Sequence, residues 1–396
     1  MAKPKIVLAY SGGLDTTVAV PWLQEKYDAD IITLTIDLGM VDLESIRQRA
    51  LSIGAIEALT VDGKDTLVNE FLFPSLQAGT IYEDQYPLAT ALGRPLIARY
   101  LVEAAKAHGA YAIAHGCTGK GNDQVRLEVG IAALAPEIEV IAPIRDWGMS
   151  RDDEIEYGQA RNLPINPNRS RFSTDENLWG RSVEAGELED PWLEPPEDAY
   201  DWTSPMSETP DEPAYVEIHF ESGVPTAVDG ESMSGTDLVA HLNTLSGRHG
   251  VGRIDHVENR LVGIKSREIY ECPAATLLHA AHASLEAMTL TKDQARTKAR
   301  ISQEYADVVY NGLWFTAHRA DLHAYVQSTQ RHVTGDVRVR LHKGTCTVVG
   351  RQAPKALYNY ELATYDRTDE FDHSSAEGFI KIYGLSVRTE NQVQSD

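Results

Sequence analysis

The stretch Ala9-Tyr-Ser-Gly-Gly-Leu-Asp-Thr-Thr17 constrains the fold of this chain more than any other. It continues the apolar run Ile6-Val-Leu-Ala-Tyr10, which reads as a strand, and it opens a helical stretch from about Asp15 to Tyr27, with Pro21 inside it as a kink. The alternation then repeats. Ile31–Ile36 is a β-branched strand, Asp42–Ile53 a helix, Ala55–Val61 a strand, Arg94–His108 a helix, and Ala110–Ala114 and Glu139–Ala142 two further strands. Strands alternating with helices predict a parallel sheet covered on both faces. Ligands of such sheets sit at the carboxyl ends of the strands, where Ser11-Gly-Gly13 falls. Gly12 and Gly13 let the backbone approach an anion closely. Helix-start amides and the hydroxyls of Ser11, Thr16 and Thr17 can then hold phosphate oxygens. The spacing is neither G-x-x-x-x-G-K-[ST] nor G-x-G-x-x-G, so it is neither a Walker loop nor a dinucleotide fingerprint.

Beyond about Asn166 the pattern changes. Pro191 to Pro213 holds six prolines and seven acidic residues and reads as an extended connector. In Ala214–Phe220 the apolar Val216, Ile218 and Phe220 alternate with Glu217, His219 and Glu221, as in a half-buried strand, and Val337, Val339 and Leu341 repeat this. Helical stretches, about 234–245 and 274–326, lie between them, so the second region is α+β. Near the end, Ser374-x-x-Glu377 has capping-box spacing, and Phe379, Ile380, Ile382 and Tyr383 follow along a short helix. A lone helix that short is marginal in water, so it should dock on its own subunit or on another. The expected division is 1–165, 166–368 and 369–396.

Charge and cysteine usage exclude several classes. Lys plus Arg is 36 and Asp plus Glu 59, a formal net charge of −23, which repels nucleic-acid backbones. Cys117, Cys272 and Cys346 are far apart and lack CxxC spacing, as expected of a reducing cytoplasm rather than a disulfide scaffold or zinc site. The chain has no apolar run of membrane-spanning length, and its first residues lead straight into a strand without a leader-like segment. His279 and His282 have helical spacing but no evident third ligand, so no metal site is expected there. Cys117 reads as a packing residue, and Gly250-Val-Gly252 as a turn.

A second motif, His115-Gly-Cys-Thr-Gly-Lys-Gly-Asn-Asp-Gln-Val-Arg126, also follows a strand and should join the first loop on one sheet edge. Asn122 and Arg126 share a helix face, and a guanidinium there can grip a carboxylate. The first loop resembles the pyrophosphate-binding loop of the ATP pyrophosphatases. The two motifs together resemble the argininosuccinate synthase family. The resemblance extends through Tyr86-Pro-Leu88, Arg94–Ala98, Phe172–Ser182, Leu188–Trp192, Gly247–Asp255, Val257–Arg260, Gly263–Arg267 and Tyr310–Trp314, and weakly to Gly378–Ile380.

The resemblance implies an α/β PP-loop domain of the adenine nucleotide α-hydrolase type, an α+β synthetase domain and a C-terminal helical tail. It implies a cytoplasmic homotetramer that ligates L-citrulline to L-aspartate with ATP and Mg2+ through citrullyl-AMP. By the same resemblance ATP would meet Ala9, Tyr10, Ser11, Gly12, Gly13, Leu14, Asp15, Thr16, Thr17, Ile36 and Gly116. Aspartate would meet Thr118, Asn122 and Asp123, and citrulline Tyr86, Asn122, Arg126, Ser173, Ser182, Glu258 and Tyr270. Arg126 would act on the substrate carboxylate, and Asp123 would be a proton acceptor for the aspartate amine. Three positions depart from the pattern. Ala91 replaces a frequent serine, with Thr90 beside it to supply a hydroxyl; Ile36 replaces a frequent alanine; Glu268 replaces a usual glycine. Two rivals are another adenylating enzyme with the same loop and a non-catalytic nucleotide-binding regulator. The residues of the second region count against the regulator.

Overall fold

The computed structural model describes residues 3–39, 42–166 and 171–395. It separates into two compact units, residues 1–354 and 355–396.

The larger unit starts with the expected alternation. Strands β1 (Lys5–Ala9), β2 (Asp30–Asp37), β3 (Glu57–Asp62), β4 (Ala112–Ala114) and β5 (Glu139–Ile141) form a parallel sheet in the order β3-β2-β1-β4-β5. Its helices are α1 (Leu14–Tyr27), α2 (Leu43–Ser52), α3 (Lys64–Leu67), α4 (Phe73–Ala78), α5 (Ala89–His108), α6 (Asn122–Leu134), α7 (Pro143–Asp146) and α8 (Arg151–Ala160). Ile6, Leu8 and Ile31 face one core layer with Ala19, Val20 and Leu23, while Val7, Ile32 and Leu34 face another with Leu101 and Ile131. Burial on both faces explains why these strands are continuous apolar runs. The chain builds outward from β1 through β2 to β3, then returns to β4 and β5 on the other side. The β1/β4 boundary is thus the switch point, where such sheets open a ligand crevice.

Two antiparallel sheets follow. Strands β6 (Ser173–Asn177), β7 (Gly180–Glu184), β11 (Arg253–Asn259) and β12 (Lys265–Glu271) form a sheet ordered β11-β12-β7-β6. Strands β8 (Ala214–Glu221), β9 (Val224–Val228), β10 (Glu231–Ser232), β13 (Gly335–His342) and β14 (Thr345–Gln352) form the other. The apolar face of β8 and β13 packs with α9 (Gly235–Arg248) and α10 (Pro273–Thr289) in the largest core. The expected helical stretch 274–326 is three helices: α10, α11 (Lys292–Tyr310) and α12 (Ala317–Gln330). The first break is a capping box in which Thr291 and Gln294 satisfy each other's backbone amides.

The connector 191–213 contains one short 3-10 turn, Glu197–Ala199, and is pinned at its centre. Glu271 is fully buried, and it accepts the amides of Asp201, Trp202 and Thr203, the Thr203 hydroxyl and Arg181 Nη1. No helix among the described residues is long and apolar enough to cross a membrane.

The smaller unit holds α13 (Tyr360–Ala363), α14 (His373–Tyr383) and α15 (Leu385–Gln394). The expected Ser374/Glu377 capping box does not form. Asp372 is the N-cap, and its carboxylate takes the amides of both Ser374 and Ser375. A carboxylate two residues earlier takes the place of the serine hydroxyl because it accepts two amides at once and its charge complements the helix dipole. Phe379, Ile380, Ile382 and Tyr383 are all exposed.

Candidate functional site

Both motif loops leave the carboxyl ends of neighbouring strands, β1 and β4. Gly12 has φ of +76°, a conformation that suits glycine, and Gly13 caps α1 from extended backbone. Ser11 Oγ accepts the Gly13 amide at 3.3 Å and lies 3.2 Å from Thr16 Oγ1, so these two hydroxyls stand together at the loop. The Thr17 hydroxyl turns inward to the buried Tyr10 phenol at 3.3 Å. Gly116 fits closely over this loop, since a Cβ there would meet Thr16 Cγ2 at 2.9 Å. Ile36 on β2 is half-buried between two cores.

The second loop is pinned from below. Buried His115 contacts Glu128 at 3.1 Å and accepts the Cys117 amide at 3.2 Å. Burial is the largest of the influences that push the Cys117 thiol up to about 12, so it is no nucleophile. Thr118 is exposed.

Asp15 and Glu154 make a second feature of this edge. Glu154 on α8 is buried, lies within hydrogen-bonding reach of Asp15, and has an Oε2 with no partner among the described residues. Burial first, and then the Asp15 charge, push its carboxyl up to about 8. Two carboxylates in contact beside a phosphate-type loop suit a divalent cation shared with phosphate oxygens.

Next to the second loop lies a cleft whose lining follows from the period of a strand. Cross-strand partners share a face, and side chains alternate. Asp175 pairs with Ser182 and Ser182 with Tyr270, while Ser173 pairs with Glu184 and His256 with Glu268. Hence Ser182, Tyr270 and Glu258 reach one side of the sheet, as do Asp175, Glu184 and Glu268. Ser173 shares this face but lies exposed at its edge, outside the cleft lining.

Tyr86 stacks on Tyr270 with 4.1 Å between centroids. Its phenol contacts Thr90 Oγ1 at 2.9 Å. Thr90 lines the cleft, whereas Ala91 is wholly buried in the core. Glu258 accepts the phenols of Tyr270 at 2.6 Å and Tyr310 at 2.7 Å.

Helix α6 supplies the remaining wall. Asn122 uses its amide to join the two halves of the unit: Nδ2 donates to Tyr310 Oη and Oδ1 accepts the Leu261 amide, both at 2.9 Å. Arg126 is 4% exposed, lies over the Tyr310 ring and donates through Nε to the Tyr310 carbonyl at 2.8 Å. Asp123 receives Arg94 at 2.7 Å and Arg126 at 3.1 Å. Burial works to raise the Asp123 carboxyl, but these guanidiniums outweigh it and hold the group at about 2. Asp123 is thereby kept ionised, which suits it to pair with a substrate ammonium.

Arg94, Asp175, Glu184, Arg260, Glu268 and Tyr310 are site residues that the sequence reading assigned no role. Alternation offered a signal for three of them, because Asp175 and Glu184 fall two after, and Glu268 two before, an assigned residue. Among the described residues no group of three or more His, Cys, Asp or Glu side chains could hold a metal by itself.

With this geometry in place, known proteins give a consistent picture. A family model described as the arginosuccinate synthase N-terminal HUP domain matches residues 5–164, and one for the arginosuccinate synthase C-terminal domain matches residues 172–390. The chain is 54% identical over 397 residues to the argininosuccinate synthase of Symbiobacterium thermophilum, covering 100% of this chain and 99% of the relative. It is 55% identical over 395 residues to that of Bacillus anthracis, covering 99% and 98%. It is 54% identical over 387 residues to that of Trichodesmium erythraeum, covering 97% of each.

Proposed function

Since this chain belongs to the argininosuccinate synthase family, we propose that it carries out that family's reaction, ATP-dependent ligation of L-citrulline to L-aspartate for arginine biosynthesis, with the site residues in the following roles. The observation that carries the reading is the meeting of the phosphate-type loop and the amino-acid cleft at one sheet edge, with Gly116 against Thr16 and, beyond residues 117–121, Asp123 and Arg126 paired one turn apart on α6.

In the first step the ureido oxygen of citrulline attacks the α-phosphorus of ATP, and the bond to the β-phosphate oxygen breaks. Pyrophosphate leaves and citrullyl-AMP remains. In the second step the aspartate ammonium gives up a proton, with Asp123 as the acceptor at hand, its amine attacks the activated carbon, and AMP departs with the former ureido oxygen. Amides and hydroxyls at Ala9–Thr17 hold the β- and γ-phosphates, and Ile36 and Gly116 border the nucleotide. Thr118, Asn122 and Asp123 receive aspartate, Asp123 by binding its ammonium. Tyr86, Asn122, Arg126, Ser182, Glu258 and Tyr270 receive citrulline in the cleft, with Ser173 reaching it from the edge of the same sheet face and Thr90 covering the hydroxyl lost at Ala91. Positioning and charge stabilisation are the protein's main contribution. Asp15 and Glu154 would hold Mg2+ on the phosphates, where it offsets charge on the leaving pyrophosphate.

The mechanism has an isotopic signature. Citrulline carrying heavy oxygen in its ureido group should yield labelled AMP and unlabelled pyrophosphate by mass spectrometry. Label-free AMP would rule out the adenylate route, and absence of pyrophosphate release with citrulline, aspartate and ATP would overturn the assignment itself.

The reading extends to a cytoplasmic homotetramer with an ATP-binding region at 1–165, a synthetase region at 166–368 and an oligomerisation tail at 369–396. Its support is the three free thiols, Cys117, Cys272 and Cys346, and the exposed apolar side chains of α14. Deleting the residues after Asp372 should reduce the mass seen by light scattering. An unchanged mass would exclude the tail as the oligomerisation element.

A further inference from the structure

Around the cleft, charges balance on one side and not on the other. Asp123 and Asp175 are matched by Arg94 and Arg126. Glu184 and Glu268 share a single cation, Arg260, whose Nη2 contacts both carboxylates. Arg260 is further fixed by its Nε, which donates to Ser266 Oγ at 2.6 Å. Glu258 has hydroxyl partners and, among the described residues, no cation in direct contact. Two carboxylates therefore flank one guanidinium, with Glu258 on the same sheet face, and a buried acidic excess of this kind is stabilised by a cation from the ligand.

We propose that Glu268 is a specificity-determining residue of the amino-acid cleft: with Glu184 it immobilises Arg260, so that this guanidinium does not compete for substrate carboxylates, and it presents its own carboxylate to the α-ammonium of citrulline. The inference rests on reading this cleft as the citrulline site. Glu268 is 5% exposed, so a charge set against it is shielded little by solvent. The ionisable groups facing it are Glu184 on β7, Glu258 and His256 on β11, Tyr270 on its own strand and Arg260. His256 is turned to Glu83 at 3.1 Å. Burial, and then the charges of Glu184 and Glu258, push the Glu268 carboxyl up to about 9. A bound ammonium favours the charged form of a carboxyl raised in this way, so citrulline binding should draw protons off the site. Glycine at 268, the usual residue in the resemblance, would leave Arg260 facing Glu184 alone.

The test pairs a change in the enzyme with a change in the substrate. Wild type, Glu268→Gln and Glu268→Asp are assayed with L-citrulline and with 5-ureidopentanoate, which lacks only the α-amino group. Wild type should prefer citrulline by roughly 100-fold or more in kcat/KM, and Glu268→Gln should shrink that preference by about 10-fold through the citrulline KM. Glu268→Asp should retain part of it. Calorimetry in two buffers of different ionisation enthalpy should find proton release on citrulline binding to wild type at about pH 7.5, and clearly less with Glu268→Gln. An undiminished preference in Glu268→Gln, equal behaviour of the Gln and Asp variants, or an unchanged proton count would overturn the inference and leave the functional reading standing. Failure of wild type to use citrulline would overturn both.

Discussion

Arg126→Ala should lose citrulline binding while keeping ATP binding. The side chain is buried, with Nε on the Tyr310 carbonyl and Nη1 on Asp123, and its Nη2 has no partner among the described residues. A substrate carboxylate reaching that guanidinium gains a charge-assisted bond in a shielded place. Removing one partner of such a pair costs about 2–5 kcal/mol, or roughly 30- to 4,000-fold in affinity. Asp123 also loses one of its two guanidiniums, so aspartate capture should weaken as well. Lysine should rescue little, because it cannot hold the Tyr310 carbonyl and a carboxylate in one plane. Calorimetry with citrulline and with ATP decides the matter. Unchanged citrulline affinity with reduced ATP affinity would mean that the second loop has been assigned to the wrong substrate.

The second large effect is on stability. Glu271→Ala removes the acceptor for three backbone amides, a hydroxyl and a guanidinium at once. Arg181 would be left with Glu176 at 3.7 Å as its remaining acidic partner. Breaking a buried ion pair on one side costs about 3–5 kcal/mol, and orphaned amides add to it. The melting temperature should fall by roughly 5–15 °C. Glu271→Gln should fall less, because its amide oxygen still accepts. The connector near Asp201–Thr203 should also become cleavable by protease in the alanine variant. A melting temperature within about 1 °C of wild type would show that the connector is held by something other than this carboxylate.

The legible parts of this molecule were the local ones. Strand, two glycines and helix follow each other in sequence, so the loop at Ser11–Gly13 could be read without any tertiary knowledge. The cleft could be read only through the resemblance, because its wall depends on β7 pairing with β12 across nearly ninety residues. No local pattern announces that pairing, and with it the meeting of Glu184, Arg260 and Glu268 stayed hidden. Asp123 shows a related limit: its position in the motif was visible, but Arg94, which helps set its acidity, comes from another helix. Two local signals were open to reading and pointed elsewhere. Thr291-x-x-Gln294 marks the break in what had looked like one long helix. Asp372, one position ahead of the first residue of α14, caps that helix in place of Ser374.

The alternation along β6, β7, β11 and β12 also limits how this site can change over generations. Its working side chains are read out by parity, at every second residue of each strand. One residue inserted within β12 upstream of Glu268 would leave a strand that still pairs, yet Glu268 and Tyr270 would exchange places with their neighbours on the opposite face. A chain of this kind can drift in length at Leu261–Gly263, between β11 and β12, but inside the strands it can lengthen only by even steps. Lineages should therefore record insertions in the turns and almost none in the strands, much as a coding sequence tolerates changes that preserve its reading frame.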